Sequence, residues 1–242
     1  MNPLSAHSIL QVWERGQGQH LVNKALTLLA ATCPEMTQNE LAELSVGQRD
    51  ALLIDLREQT FGTKLNVFAK CPQCQGHIEF ATDVANIRVM NDSVAKEVEL
   101  SVEDLNLRFR LLNSSDLASV VNCNDVTIAR NLLVQRCVLQ ANRDGIALSS
   151  RELPGEIIDK LVVRLAECDP QSEVLFNLVC PSCDHNWQMI FDIVSFFWTE
   201  ISTQVKRLLR EVHTLALAYG WREVDILSMS TVRRQFYLEM VS

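Results

Sequence analysis

The sequence predicts an α+β protein: helical at both ends, with two β-hairpins in the middle that enclose a folded α/β insertion. Three observations predict it. Apolar residues recur at helical spacing at both ends of the chain. They alternate with period two at three places in the middle. Two Cys-Pro-x-Cys tetrapeptides sit between alternating stretches, where hairpin tips belong.

The N-terminal part, residues 1–62, reads as helices. Leu21, Ala25, Leu28 and Leu29 share one helical face, and Pro34 closes that segment. A second helix is predicted from Val46 to Gln59, with Gly62 as its stop. Residues 63–85 change period. Leu65, Val67 and Ala69 alternate, then Cys71-Pro72-Gln73-Cys74, then Ile78, Phe80 and Thr82 alternate again. The insertion, 86–172, opens with two strands over 95–112. Leu105, Leu107, Phe109 and Leu111 mark one face there, and Asn106, Arg108 and Arg110 the other. Three helices are predicted next: one from Ser115, one from Asp125 as N-cap to about Ala141, and one from Pro154 to Cys168, stopped by Asp169-Pro170.

Residues 173–192 repeat the hairpin pattern. Val174, Phe176 and Leu178 lead into Cys180-Pro181-Ser182-Cys183, and Trp187, Met189 and Phe191 lead out. The two hairpins and the insertion between them form one central unit, 63–192. The C-terminal module, 193–242, is helical. Phe197, Ile201, Val205, Leu208, Val212 and Leu215 draw one apolar stripe, with Lys206, Arg207, Arg210 and Glu211 on the remaining faces. Gly220 is its predicted C-cap, and a short helix at Glu223–Leu227 and a last one capped by Ser230 follow.

The chain is 242 residues long, 48% hydrophobic and 21% charged, the composition of an ordinary globular protein and not of a disordered one. Its net charge of -8 is concentrated between residues 71 and 191, and no segment is basic. That argues against nucleic acid as a partner, because phosphate binding needs clustered Lys and Arg. The first residues lack the basic and apolar regions of a signal peptide, and no apolar run reaches the ~20 residues of a membrane span. A cytoplasmic location is expected, where cysteines are metal ligands or buried thiols rather than disulfides.

Of the 8 cysteines, Cys71, Cys74, Cys180 and Cys183 carry the strongest chemical signal. Two sulfurs at i and i+3 of a tight turn can face one ion, and two such turns supply the four thiolates of a tetrahedral structural zinc site. The predicted centre is therefore zinc-ribbon-like. The turns stand 105 residues apart, far more than in a compact ribbon. Loop closure over that distance costs only about 1.7 kcal/mol more, against the ~10–16 kcal/mol that zinc supplies to small folds. Zinc knuckles often carry a left-handed Gly after the second Cys. Here Gly76 comes one position late, and Asp184, a residue tolerant of that conformation, stands in for it in the second turn. His77 and His185 are near enough to be alternative ligands, although four thiolates already close a site. Cys33, Cys123, Cys137 and Cys168 lack such spacing and read as free, buried thiols.

Two other chemistries use these residues. A thiol oxidoreductase would place its first Cys at a helix N-terminus, whereas strands follow both turns here. A zinc-ribbon regulator of nucleic acid would need a basic face. A helix-turn-helix outline over 213–241 offers only the adjacent Arg233 and Arg234, read as an exposed pair. No phosphate loop, nucleophile elbow or His-Glu-x-x-His helix is present, so no catalytic residue is assigned.

The C-terminal segment carries a resemblance. It reads Phe191-Asp192-Ile193-Val194-Ser195-Phe196-Phe197-Trp198, then Leu208-Leu209-Arg210-Glu211-Val212-His213, then Leu215-Ala216-Leu217-Ala218-Tyr219-Gly220-Trp221-Arg222-Glu223. Ile226-Leu227, Arg233-Arg234 and Tyr237-Leu238-Glu239 close it. With Gln48-Arg49-Asp50-Ala51-Leu52-Leu53, Arg57-Glu58-Gln59-Thr60-Phe61-Gly62 and both Cys pairs, it resembles the T-even phage baseplate hub assembly chaperone family, found with contractile phage tails and phage-derived contractile injection particles. The resemblance covers most of the chain, loosely over 86–150. It implies a non-enzymatic role in building the hub around the central spike, hub or spike proteins as partners, and the same four cysteines as the paired turns. It leaves open whether the protein stays in the finished particle. Tyr219, Trp221, Arg222, Arg233, Arg234 and Tyr237 are the candidate partner-binding residues, since aromatic and Arg side chains anchor protein interfaces. The competing role for Trp221 and Tyr237 is packing the last helices onto the long one.

Overall fold

A computed structural model describes residues 2–89 and 97–241. The N-terminal part is four helices, α1 (Ala6–Gly16), α2 (Leu21–Ala30), α3 (Gln38–Glu43) and α4 (Val46–Phe61). Each has a side-chain cap. Ser5 and His20 accept the N–H two or three residues on, and Thr37 and Ser45 form capping boxes with Glu40 and Gln48. Gly62, at φ 86°, ends α4 as predicted.

The first hairpin is β1 (Lys64–Lys70) and β2 (His77–Asp83), antiparallel, with Leu65↔Thr82 and Val67↔Phe80 in register. The insertion holds β3 (Val98–Val102), β4 (Leu105–Phe109), α5 (Ser114–Val120), α6 (Val126–Cys137), β5 (Val138–Arg143), β6 (Ile146–Ala147) and α7 (Gly155–Cys168). Its strands make one antiparallel sheet in the order β3-β4-β5-β6. Residues 95 and 96 of the predicted strand pair lie outside the described residues. The alternation of β4 holds: Leu105, Leu107 and Phe109 are buried and Asn106 and Arg108 exposed.

One helix boundary moves. The helix capped by Asp125 stops at Cys137 rather than near Ala141, because the chain from Val138 onward pairs with β4. Arg110 N–H closes that junction by donating to Cys137 O at 2.9 Å. A strand partner far upstream, Phe109 for Val138, outweighs local helical preference here.

The second hairpin is β7 (Val174–Val179) and β8 (Asn186–Phe191), followed directly by α8 (Ile193–Tyr219), α9 (Glu223–Ser228) and α10 (Thr231–Glu239). Asp192 caps α8 and Gly220, left-handed at φ 68°, ends it. At 27 residues α8 runs about 40 Å at 1.5 Å per residue. All six residues of its predicted stripe are buried. Glu211 is a correction to the polar face. It is buried, and it accepts from Arg234 at 2.6 Å and from Arg207 at 2.8 Å.

The main core joins the stripe of α8 to α1, α2, α4, α9 and the inner faces of both hairpins. Phe176 touches Phe80 at 5.4 Å and Phe191 at 5.5 Å, so the hairpins pack face to face. Two smaller apolar clusters lie wholly within the insertion, between its sheet and α6 and α7. Among the described residues, no helix is long and apolar enough to cross a membrane.

Candidate metal centre

Each hairpin ends in the same turn. In the first, Cys71 N–H donates to Gly76 O at 2.9 Å and Gln75 N–H to Cys71 O at 3.0 Å. In the second, Cys180 N–H donates to His185 O and Asp184 N–H to Cys180 O, both at 2.9 Å. Residue by residue the two turns match. The left-handed residue follows the second Cys in both, Gln75 at φ 63° and Asp184 at φ 54°. This corrects the expectation that Gly76 takes the left-handed position. Gly76 serves space instead: a Cβ there would stand 3.2 Å from Cys74 Sγ.

The face-to-face hairpins bring their tips together. Cys74 Sγ lies 3.5 Å from Cys180 Sγ, and Cys71 Sγ 3.7 Å from Cys183 Sγ. All four sulfurs fall within 4.8 Å of one another. A tetrahedral zinc ion with Zn–S bonds of ~2.3 Å sets sulfurs ~3.8 Å apart, so the donor set fits such an ion. Cys71 and Cys180 are fully buried, Cys183 is half-buried and Cys74 exposed. His77 is exposed and His185 stacks on Trp187 with ring centroids 6.1 Å apart; neither belongs to the sulfur cluster.

The cluster's electrostatics point the same way. The Ser182 backbone N–H, against some burial, draws the Cys180 thiol down to about 6. The His185 N–H acts likewise on Cys183, but burial and the sulfurs of Cys74, Cys180 and Cys71 outweigh it and push that thiol up to about 12. Four thiols this close cannot all ionise unaided; a dication is what lets them.

The remaining cysteines lie elsewhere. Cys33 and Cys137 are buried, and burial pushes the Cys137 thiol up to about 12. Cys123 and Cys168 correct the expectation of buried thiols: both are half-buried, Cys123 in the turn before α6, where it donates to Asp125 O at 3.3 Å, and Cys168 at the end of α7.

A family model described as T4 bacteriophage base plate protein matches residues 7–198. The chain belongs to that family. No curated protein and no solved structure matches it. The region shared with the T4 baseplate family takes in α1 to α4, both Cys turns and the whole insertion, and ends at Trp198 inside α8.

The candidate partner residues of this baseplate-family chain lie beyond that match. Tyr219 stacks on Trp221 at 4.4 Å, and Tyr237 stands edge-on to both, at 5.7 and 4.7 Å. Trp221 and Tyr237 also pack against the main core. Arg233 lies over Tyr237 at 5.7 Å, and Arg222 pairs with Asp225 at 2.8 Å. Arg234 is not the exposed half of a pair. It is 2% exposed and donates to Glu211 and to Met229 O, so of the two arginines Arg233 is the exposed one.

Sequence reasoning missed Arg57. It is 2% exposed and reaches three elements: Glu200 on α8 at 2.6 and 2.9 Å, Gly62 O at 2.6 Å and Lys64 O at 2.7 Å. A charged residue inside α4, whose apolar positions form no clean stripe, gives no local sign of such a task.

Proposed function

We propose that this chain is a zinc-stabilised, non-enzymatic assembly factor for the baseplate of a contractile phage tail or contractile injection particle. It binds a hub or central spike component through its helical surfaces, in the cytoplasm of the producing cell, and holds that component in an assembly-competent state. The zinc ion, held by Cys71, Cys74, Cys180 and Cys183, ties the hairpins that bracket the insertion. The observation that carries the reading is the baseplate-family match across both Cys turns, with their sulfurs converging on one point.

The reading assigns partner contact to the C-terminal module. The stacked Tyr219, Trp221 and Tyr237, edged by Arg222 and Arg233, have the composition of an interface anchor. Arg234, being buried, instead ties α10 to Glu211 of α8.

Two measurements test it. Affinity capture of the tagged chain from a cell producing contractile particles is expected to recover a hub or spike protein; recovery of no baseplate, hub or spike protein overturns the assembly role. Metal analysis of the purified chain is expected to give about one zinc per chain, lost in Cys71→Ser and in Cys180→Ser. Metal-free wild-type protein with intact structure overturns the role of zinc.

A further inference from the structure

The two sulfur pairs in hydrogen-bond contact both cross from one hairpin to the other: Cys74 with Cys180, and Cys71 with Cys183. Each pair joins one reachable sulfur to one sealed sulfur. Cys74 is exposed and faces buried Cys180; Cys183 is half-buried and faces buried Cys71. That is the arrangement a two-step thiol oxidation needs. The reachable sulfur meets the oxidant, and the sealed sulfur, already in contact, resolves it.

We propose that the cluster is also an oxidative modification site, which a peroxide converts into two inter-hairpin disulfides, Cys74–Cys180 and Cys71–Cys183. In the first step the Cys74 sulfur attacks one oxygen of hydrogen peroxide. The O–O bond breaks, a sulfenic acid forms and one water leaves. In the second, the Cys180 sulfur attacks the Cys74 sulfur, the S–O bond breaks, and the hydroxyl leaves as a second water with a proton from solvent, since a metal-held Cys180 is already a thiolate. Two thiols lose two electrons to one peroxide. Cys183 and Cys71 repeat the sequence with a second peroxide, and any dication held by the four sulfurs is released. The product keeps the hairpin tips together by covalent bonds between the same sulfurs that would hold the metal, so oxidation exchanges one clamp for another.

The starting state rests on the zinc reading, but the pairing rests on the juxtaposed sulfurs alone. The test treats the purified full-length chain, as isolated, with hydrogen peroxide and maps disulfides by non-reducing digestion and mass spectrometry. Zinc release is followed in parallel with a chromogenic chelator. The expected result is a monomer with peptides linked Cys74–Cys180 and Cys71–Cys183, and with Cys33, Cys123, Cys137 and Cys168 still reduced. Bonds within a turn, Cys71–Cys74 and Cys180–Cys183, overturn the proposal, as do intermolecular dimers. Cys74→Ser supplies a second arm. Cys71–Cys183 is still expected there, and a Cys180–Cys183 bond in its place would show that hairpin juxtaposition does not direct the pairing. Absence of zinc at the outset would sink the metal reading while leaving the disulfide map decisive.

Discussion

Single residues in this protein carry charge into places where water is scarce. Arg57 is the clearest case, because its guanidinium bonds α8, the end of α4 and the start of β1 at once. Arg57→Ala leaves two carbonyls and Glu200 without their donor; because Glu200 is 27% exposed and water can reach it, the cost is on the order of 2 kcal/mol, below the ~3–5 kcal/mol of a fully buried pair. The expected outcome is a lower urea midpoint, whereas Arg222→Ala, on a solvent-exposed pair, leaves the midpoint where it was. An Arg57→Ala protein with a wild-type midpoint would mean that the three contacts contribute nothing net. Asp50 gives a prediction with a sign. Burial pushes its carboxyl from 3.8 up to about 6, Arg49 pulls it partly back, and Asp192 and Asp169 add to the rise. Between those two values the folded chain holds a proton that the unfolded chain has released. Stability from this group is therefore full below about pH 4 and lost as pH rises through about 6. Urea midpoints compared across that range should show a falling contribution in wild type that Asp50→Asn removes; parallel profiles for the two proteins would refute the assignment.

At the scale of elements, close packing decides between opposing tendencies. Gly16 ends α1 against α8, and a Cβ there would lie 2.0 Å from Trp198 Cη2. Helix propensity favours Gly16→Ala by up to ~1 kcal/mol, but overpacking costs ~1–3 kcal/mol. Trp198 is 9% exposed, and Lys24 Nζ sits 4.8 Å over its ring, so the indole has little room to move. Gly16→Ala should thus lower the melting temperature. Gly155→Ala, with nothing within 4 Å of its Cβ, should hold or raise it. A more stable Gly16→Ala would show that the α1–α8 contact is loose. These contrasts also mark what was legible beforehand. Period two in Leu105, Leu107 and Phe109 and the stripe of α8 were readable because burial repeats with the local geometry of strand and helix. The Cys turns were readable because metal chemistry constrains spacing. The end of α6 was not, since Phe109 across the sheet claims Val138. Neither was the burial of Arg234 and Glu211, because both look like surface charge until α10 folds back on α8. Gln75 showed no sign of its left-handed backbone, which the six-residue turn imposes.

Over the whole molecule, the sulfur cluster and the insertion are secured by different means. The insertion has its own apolar clusters, and it meets the N-terminal helices through polar contacts remote from the sulfurs. Val46 N–H donates to Leu112 O at 2.9 Å and Gly47 N–H to Asp169 Oδ2 at 2.9 Å. Asp116 reinforces the insertion from within. Burial raises its carboxyl, but Arg110, the Asn113 N–H and Arg136 outweigh that and hold it below the usual range. The hairpins instead depend on one shared core face and on what joins their tips. On the zinc reading, removing metal with a chelator should therefore loosen the molecule unevenly. In hydrogen exchange, amides of 71–76 and 180–185 should lose protection first, followed by β1, β2, β7 and β8, while β4 and α7 keep theirs. Such ordering follows from local stabilities that differ between cooperative units. Simultaneous loss of protection in β4 and the Cys turns would show instead that the metal, rather than the polar joint of Val46 with Leu112 and Gly47 with Asp169, holds the insertion to the rest of the chain.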